Sequence, residues 1–218
     1  MKRSTAEIVR EYGPFPGVDR VNGVTYDGKQ VWIATGDNLK ALDPASGKTT
    51  RSIDVGAHAG TAFDGQFLYQ IGDDRIRKID PKTGQVVAAI PAPASGCSGM
   101  AWAEGSLWVA QYEDRKIYQV DPLTGAVLRT IETTRFVTGV SWIAGELWHA
   151  TWDDDGSDLR RIDPPTGEVL EVIEMPPGVG VSGLESDGGN QFFCGGGSSG
   201  KVRVVRRPRR GAAAKPKT

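Results

Sequence analysis

GVSWIAGELWHATWDDDGSDLRRIDPPTGEVLEVIEM, residues 139–175, is the stretch whose reading decides the fold. It contains an apolar run, a turn signal at Ala144-Gly145, a second run (LWHAT), a polar loop, a third run (LRRID), the turn DPPTG and a last run. The runs are short, rich in β-branched and aromatic residues and bounded by Gly and Asp, which suits strands rather than helices. The same wording begins at Gly23, Gly60, Gly99, Gly139 and Gly183, at steps of 37, 39, 40 and 44 residues. A repeat of that length holding four strands is a propeller blade.

Working outward, the most regular signal is the return between the third and fourth strands: DPASG from Asp43, DPKTG from Asp80, DPLTG from Asp121 and DPPTG from Asp163. Pro presets φ, Asp bonds the backbone ahead of it, and Gly accepts the positive φ that returns the chain. These aspartates are therefore read as turn formers rather than metal ligands. The fifth copy stops after KVRVVRR with neither this turn nor a fourth strand, whereas AEIVREYG (residues 6–13) precedes the first copy and resembles the missing piece. The expectation is an all-β, five-bladed β-propeller of twenty strands in four-stranded antiparallel blades, the last closed by the N-terminal strand, which leaves few free edges. Residues 1–207 form one domain with blades starting near 21, 58, 97, 137 and 181, and residues 208–218 form a disordered basic tail.

Whole-chain properties narrow the function classes. No apolar run approaches the eighteen residues or so of a membrane span. The opening MKRSTAEIVR has no apolar leader and runs into a strand, so the sequence reads as cytoplasmic with reduced thiols. Net charge is −1, but six basic residues from Arg206 onward leave −7 on the remainder. An acidic body argues against a nucleic-acid track, and only the tail offers a weak contact of that kind. Oligomeric state is not set by the sequence.

In alternating strands, the loops D to A and B to C share one face of the ring. That face carries all the irregular segments, including GPFPGVDRVN, MPPGVGVS, QYEDR and TWDDDGSD, while the opposite face repeats its turns. Irregularity on one face of a repeat scaffold marks the binding side. A small-molecule ligand is expected at the mouth of the central channel, framed by Arg20, Asn22, Tyr69, Tyr112, Arg135 and Trp152.

One register of strand B is read as Ile33, Tyr69, Val109, His149 and Cys194, and the third position of strand A as Thr25, Ala62, Ala101, Ser141 and Glu185. His149 and Glu185 stand out from bland neighbours and are the candidate acid and base, since burial and a nearby carboxylate tune imidazole toward neutrality. The two histidines and two cysteines all fall at the channel wall or mouth. His58, Cys97, His149 and Cys194 are thus a candidate set for a divalent metal such as zinc or copper, although their spacing matches no sequential motif and no cofactor is otherwise implied. A third reading makes the irregular face a protein-interaction scaffold, with Trp152 and the acidic loop 153–158 as contacts. The tryptophans at 32, 108, 148, 102 and 142 fall in shared registers and read as blade-to-blade core.

The first blade, IVREYG, VNGVTYDG, VWIATG and LKALDPASGK, resembles the plant and bacterial glutamine cyclotransferases. That resemblance implies a five-bladed propeller that closes N-terminal glutamine to pyroglutamate without a metal. It covers about fifty residues of wording. The family's proton-shuttling glutamate falls on Ile33 and a glutamine on Asn22, while Thr35 and Gly36 are kept. Isoleucine moves no proton, so an enzyme here would be a related acyltransferase or cyclase, or a lyase, using groups from other blades. The phrases LWVA and IDPxTG are also similar to virginiamycin B lyase and lactonase-type propellers, which have more blades.

Overall fold

In the computed structural model, which describes residues 1–154 and 156–208, the Asp-Pro turns form as their residues dictate. The amides of Gly47, Gly84, Gly125 and Gly167 donate to the carbonyls of Asp43, Asp80, Asp121 and Asp163 at 2.7–2.9 Å, and all four glycines have positive φ, between 72° and 79°. The aspartate side chains are spent inside the turns, for example on the Lys82 and Leu123 amides.

These turns join 21 strands, and no helix occurs among the described residues. Strands β1 (Lys2–Thr5) and β2 (Ile8–Tyr12) come first. Blade 1 is β3 (Gly23–Tyr26), β4 (Val31–Ala34), β5 (Gly36–Leu42) and β6 (Thr49–Ala57), and blade 2 is β7 (Thr61–Phe63), β8 (Leu68–Gly72), β9 (Arg75–Ile79) and β10 (Val86–Pro91). Blade 3 is β11 (Cys97–Ala103), β12 (Ser106–Gln111), β13 (Lys116–Val120) and β14 (Val127–Glu132). Blade 4 is β15 (Phe136–Ile143), β16 (Glu146–Asp153), β17 (Gly156–Ile162) and β18 (Val169–Glu174), and blade 5 is β19 (Gly183–Ser186), β20 (Gln191–Gly195), β21 (Val202–Arg206) and β2. The fold is a five-bladed propeller, and β2 closes the last blade by pairing antiparallel with β21.

The twenty-first strand is an addition to the expected count. β1 lies parallel to β18 and gives blade 4 a fifth, outermost strand. Its exposed charges meet those of β18: Lys2 pairs with Glu171 at 3.2 Å and Arg3 with Glu174 at 2.5 Å. The pairing reads weakly from sequence because KRST carries no alternation of apolar and polar residues.

The core is a set of five seams. Each apolar cluster joins two successive blades, as Trp32 on blade 1 does with Leu68 and Ile79 on blade 2, or Phe193 on blade 5 with Val24 and Ile33 on blade 1. The tryptophans lie in these seams as expected, with Trp108 stacked on Trp142 at 5.2 Å between ring centroids. At the axis, the five glycines that open the repeats touch one another in turn. A Cβ on Gly60 would lie 2.5 Å from the Gly99 carbonyl carbon, one on Gly99 2.5 Å from the Gly139 Cα, and one on Gly183 2.9 Å from the Gly23 Cα. The repeat's small-residue start is therefore a ring of backbones in contact around the axis, with no room for a side chain.

Strand pairing also corrects one register. Ile33, Val109, His149 and Cys194 sit opposite Val24, Met100, Val140 and Leu184, and the blade 2 residue in that column is Gln70, opposite Thr61. Tyr69 belongs instead to the aromatic column of Trp32, Trp108, Trp148 and Phe193. Phe67 misled the reading because it belongs to the turn, where its amide bonds Asp64, and counting it as strand shifts the blade by one residue and hence to the other face. The basic tail from residue 209 lies outside the described residues.

Candidate functional site

Each residue preceding a ring glycine lies at the channel mouth. Asn22, Ala59, Ser98, Thr138 and Ser182, together with His58 and Cys97, line an opening of about 220 Å³. Thr138 and Ser182 also line an adjoining cleft of about 430 Å³, the site of greatest interest. Its walls come from the irregular face: Arg20 between β2 and β3, Tyr112 after β12, Trp152 near the end of β16, Gly178–Ser182 before β19, and Gly196–Ser199 with Arg203 around the β20–β21 connection.

Short local bonds fix these loops. The Val21 amide donates to the Gly197 carbonyl at 3.0 Å, and the Gly197 amide donates to Ser182 Oγ at 2.9 Å. Ser182 Oγ in turn donates to the Val21 carbonyl, so three loops are tied at one point and Arg20 is held beside the glycine loop. Tyr112 stacks on Phe136 at 4.8 Å. Trp152 is 40% exposed, and its ring lies over Gly180, 3.6 Å from where a Cβ would be. Arg203 is 8% exposed and donates from Nε to Glu11 at 2.7 Å. The Lys201 and Arg203 hydrogen bonds hold Glu11 below the usual carboxylate range.

Of the expected ligand contacts, Arg20, Tyr112 and Trp152 share this cleft and Asn22 lies at the adjoining mouth. Two lie elsewhere. Tyr69 is packed in the seam between blades 2 and 3, stacked on Trp102 at 5.5 Å and bonded to Asp64 at 3.1 Å. Arg135 donates to Thr151 Oγ1 at 3.2 Å and to the Gly156 carbonyl at 2.8 Å, in a separate pocket with Arg160, Asp158 and Glu174.

The expected acid and base do not meet. His149 shares a strand face with Leu147 and so points into the seam with blade 3. The residue is 1% exposed, and among the described residues neither ring nitrogen has a partner at normal hydrogen-bond geometry. Burial, then the Arg160 charge, pushes its pKa down to about 4. Glu185 lies two residues past Gly183, roughly 6–7 Å along the strand, on the far side of the glycine ring from the mouth. There Thr25 and Ser141 donate to it at 2.8 and 3.0 Å. Burial raises its pKa to about 7 against the pull of those bonds.

The metal set is likewise dispersed. His58 and Cys97 share an opening between blades 2 and 3 and the channel mouth, but Cys194 is buried in the seam between blades 4 and 5 and His149 in the one before it. Among the described residues no three His, Cys, Asp or Glu side chains gather as metal ligands. Burial pushes the Cys97 thiol up to about 11 and the Cys194 thiol to about 12, so both stay protonated.

Against known families, the model for a repeat of unknown function, DUF6923, matches residues 17–151. The chain belongs to the DUF6923 family. The matched span runs from the loop before blade 1 to the second strand of blade 4. No curated protein matches the chain. Among solved structures, this DUF6923 member is similar to the glutaminyl cyclase of Myxococcus xanthus, with a TM-score of 0.77 and 19% identity over 94% of this chain and 97% of that one. It is also similar to the hydrazine synthase of Kuenenia stuttgartiensis (TM-score 0.53, 20% identity, 82% of this chain and 56% of that one). A third similar structure is the WD40 propeller domain of Doa1 (TM-score 0.57, 16% identity, 87% and 64%). At these identities the shared feature is the propeller.

Three contributors to the cleft escape a sequence reading: Arg203, Thr138 and the Gly196–Ser199 loop. Arg203 occupies a strand C position where Lys40, Arg77 and Arg160 recur, paired opposite Ile33, Gln70 and His149, so repetition disguises it. Ile33, where the glutamine cyclotransferase resemblance places a glutamate, is fully buried in the apolar seam between blades 5 and 1.

Proposed function

We propose that this propeller binds a small organic molecule in the cleft beside the channel mouth, with Arg20, Tyr112 and Trp152 as contacts and Asn22 at the adjoining opening. The supporting observation is that Arg20, Tyr112 and Trp152, from three distant segments of the irregular face, line one cavity of about 430 Å³, within the range of small-molecule sites. Aromatic walls and a few polar groups match that class of site.

Binding without conversion is the reading the chemistry favours. Cyclising an N-terminal glutamine, as the name of the Myxococcus protein suggests, requires a proton-transfer group within hydrogen-bond reach of the reacting amine. Among the described residues the cleft lining has no carboxylate, imidazole or thiol. The test is a thermal-shift and Trp-fluorescence screen of small metabolites, repeated on Trp152→Ala and Arg20→Ala, with an ammonia-release assay on an N-terminal glutamine peptide. Ligands whose effect disappears in both variants support the proposal. Ammonia release that depends on Trp152 would replace binding with catalysis, and hits unaffected by either variant would move the site elsewhere.

A further inference from the structure

The charge of the cleft runs opposite to that of the body. Residues 1–208, without the basic tail, carry a net charge of −5, yet among the described residues the only charged side chains lining the cleft are Arg20 and Arg203. Concave surfaces lined by one sign of charge focus the field on a ligand of the other sign.

Three further observations identify where an anion would sit. Arg203 is almost fully buried and uses only Nε, on Glu11, so its two terminal nitrogens have no protein partner among the described residues. One of them lies 2.8 Å from where a Cβ on Gly196 would stand, so the glycine lets the guanidinium pack close against this loop, and both residues line the cavity. Thr138 is 8% exposed, and its Oγ1 is buried without a partner among the described residues although the residue lines both the cleft and the mouth. A buried hydroxyl left unpaired costs on the order of 1–3 kcal/mol, which a ligand atom in the cleft would offset. Ser198, exposed on the glycine loop, offers a hydroxyl that also has no protein partner among the described residues.

We infer that the ligand is a small organic acid, its carboxylate held by Arg203, Arg20 and the Thr138 and Ser198 hydroxyls and its apolar or planar body against Tyr112 and Trp152. A planar guanidinium edge matches a carboxylate in two parallel hydrogen bonds. Because Glu11 already offsets part of the Arg203 charge, a monoanion fits better than a doubly charged phosphate. The inference rests on the cleft being the ligand site.

The experiment titrates the whole protein with phenylacetate, uncharged phenylacetamide and phenyl phosphate, following Trp152 emission, with Trp152→Phe as the control that separates it from the other five tryptophans. Phenylacetate is expected to bind at least about tenfold more tightly than phenylacetamide, as charge-assisted bonds are roughly twice as strong as neutral ones. Arg203→Lys keeps a cation for Glu11 but loses the fork, and should weaken phenylacetate about tenfold. Arg20→Gln, at an exposed residue with no partner among the described residues, and Thr138→Val should each weaken it several-fold. Equal binding of acid and amide would overturn the anion inference while leaving the cleft as a ligand site. Phenyl phosphate binding as tightly as phenylacetate would overturn the carboxylate assignment. No Trp152-dependent response to any probe would overturn the cleft itself.

Discussion

Thr25 Oγ1 donates a 2.8 Å hydrogen bond to Glu185 across the seam where blade 5 closes on blade 1. Ser141 of blade 4 holds the other carboxylate oxygen at 3.0 Å, so one side chain ties three blades near the axis. Burial raises its pKa from 4.5 to about 7. A folded-state pKa above the unfolded one means that the native state binds the extra proton. The stability so contributed is complete below about pH 4.5 and lost as pH rises through 7. Glu185→Gln should flatten that slope and raise stability at pH 8 on the order of 1–2 kcal/mol, a figure reduced for the partial solvent access of the side chain. Urea unfolding from pH 5 to 8 checks it, and a wild-type curve without the decline would refute it.

His149 has the opposite sign. Its pKa falls from 6.5 to about 4 by burial and by Arg160, with Asp158 opposing, so its stability contribution is present above pH 6.5 and lost as pH falls through 4. His149→Leu should remove that acid-side loss. At pH 7 it should leave stability unchanged or raise it by up to about 1–2 kcal/mol, because two polar atoms without a well-formed hydrogen bond among the described residues leave the seam. Thermal unfolding from pH 4 to 7 measures both, and a loss above about 2 kcal/mol at pH 7 would mean that the imidazole makes bonds the seam depends on.

Gly99→Ala places a methyl 2.5 Å from the Gly139 backbone. Neither strand can yield without moving its whole blade, so a loss of about 3 kcal/mol or more in denaturant unfolding is expected. A loss under about 1 kcal/mol would show that the ring dilates freely.

Shortening the N-terminus should act in two steps. Removing residues 1–5 takes away only β1, which is largely exposed on blade 4, and should cost little. Removing residues 1–12 also deletes β2, the Tyr12 bond to the Pro44 carbonyl at 2.7 Å and the partner of β21, leaving an open edge that invites aggregation. Light scattering and melting of the two truncations compare them, and similar behaviour would argue against closure by β2.

The repeat period, the Asp-Pro-x-Thr/Ser-Gly turns and the unfinished fifth copy were enough to give the blade number and the closing strand. These are local facts: turn chemistry acts over five residues, and an incomplete sheet leaves its deficit written in the chain. The cleft was half legible. Arg20, Tyr112 and Trp152 stood out because loops on one face break the repeat. Arg203 did not, because strand C carries a basic residue in most blades.

What the sequence determined by itself was therefore the period, the turns and the face that varies. Tertiary structure alone decided which side chains meet. In a strand, neighbouring positions face opposite seams, so whether His149 points toward Glu185 or toward blade 3, and whether Tyr69 or Gln70 shares its column, depends on a one-residue register and on which blade lies across each seam. The closed ring of glycine backbones then puts Glu185 and the channel mouth on opposite sides, a separation set by packing around the axis.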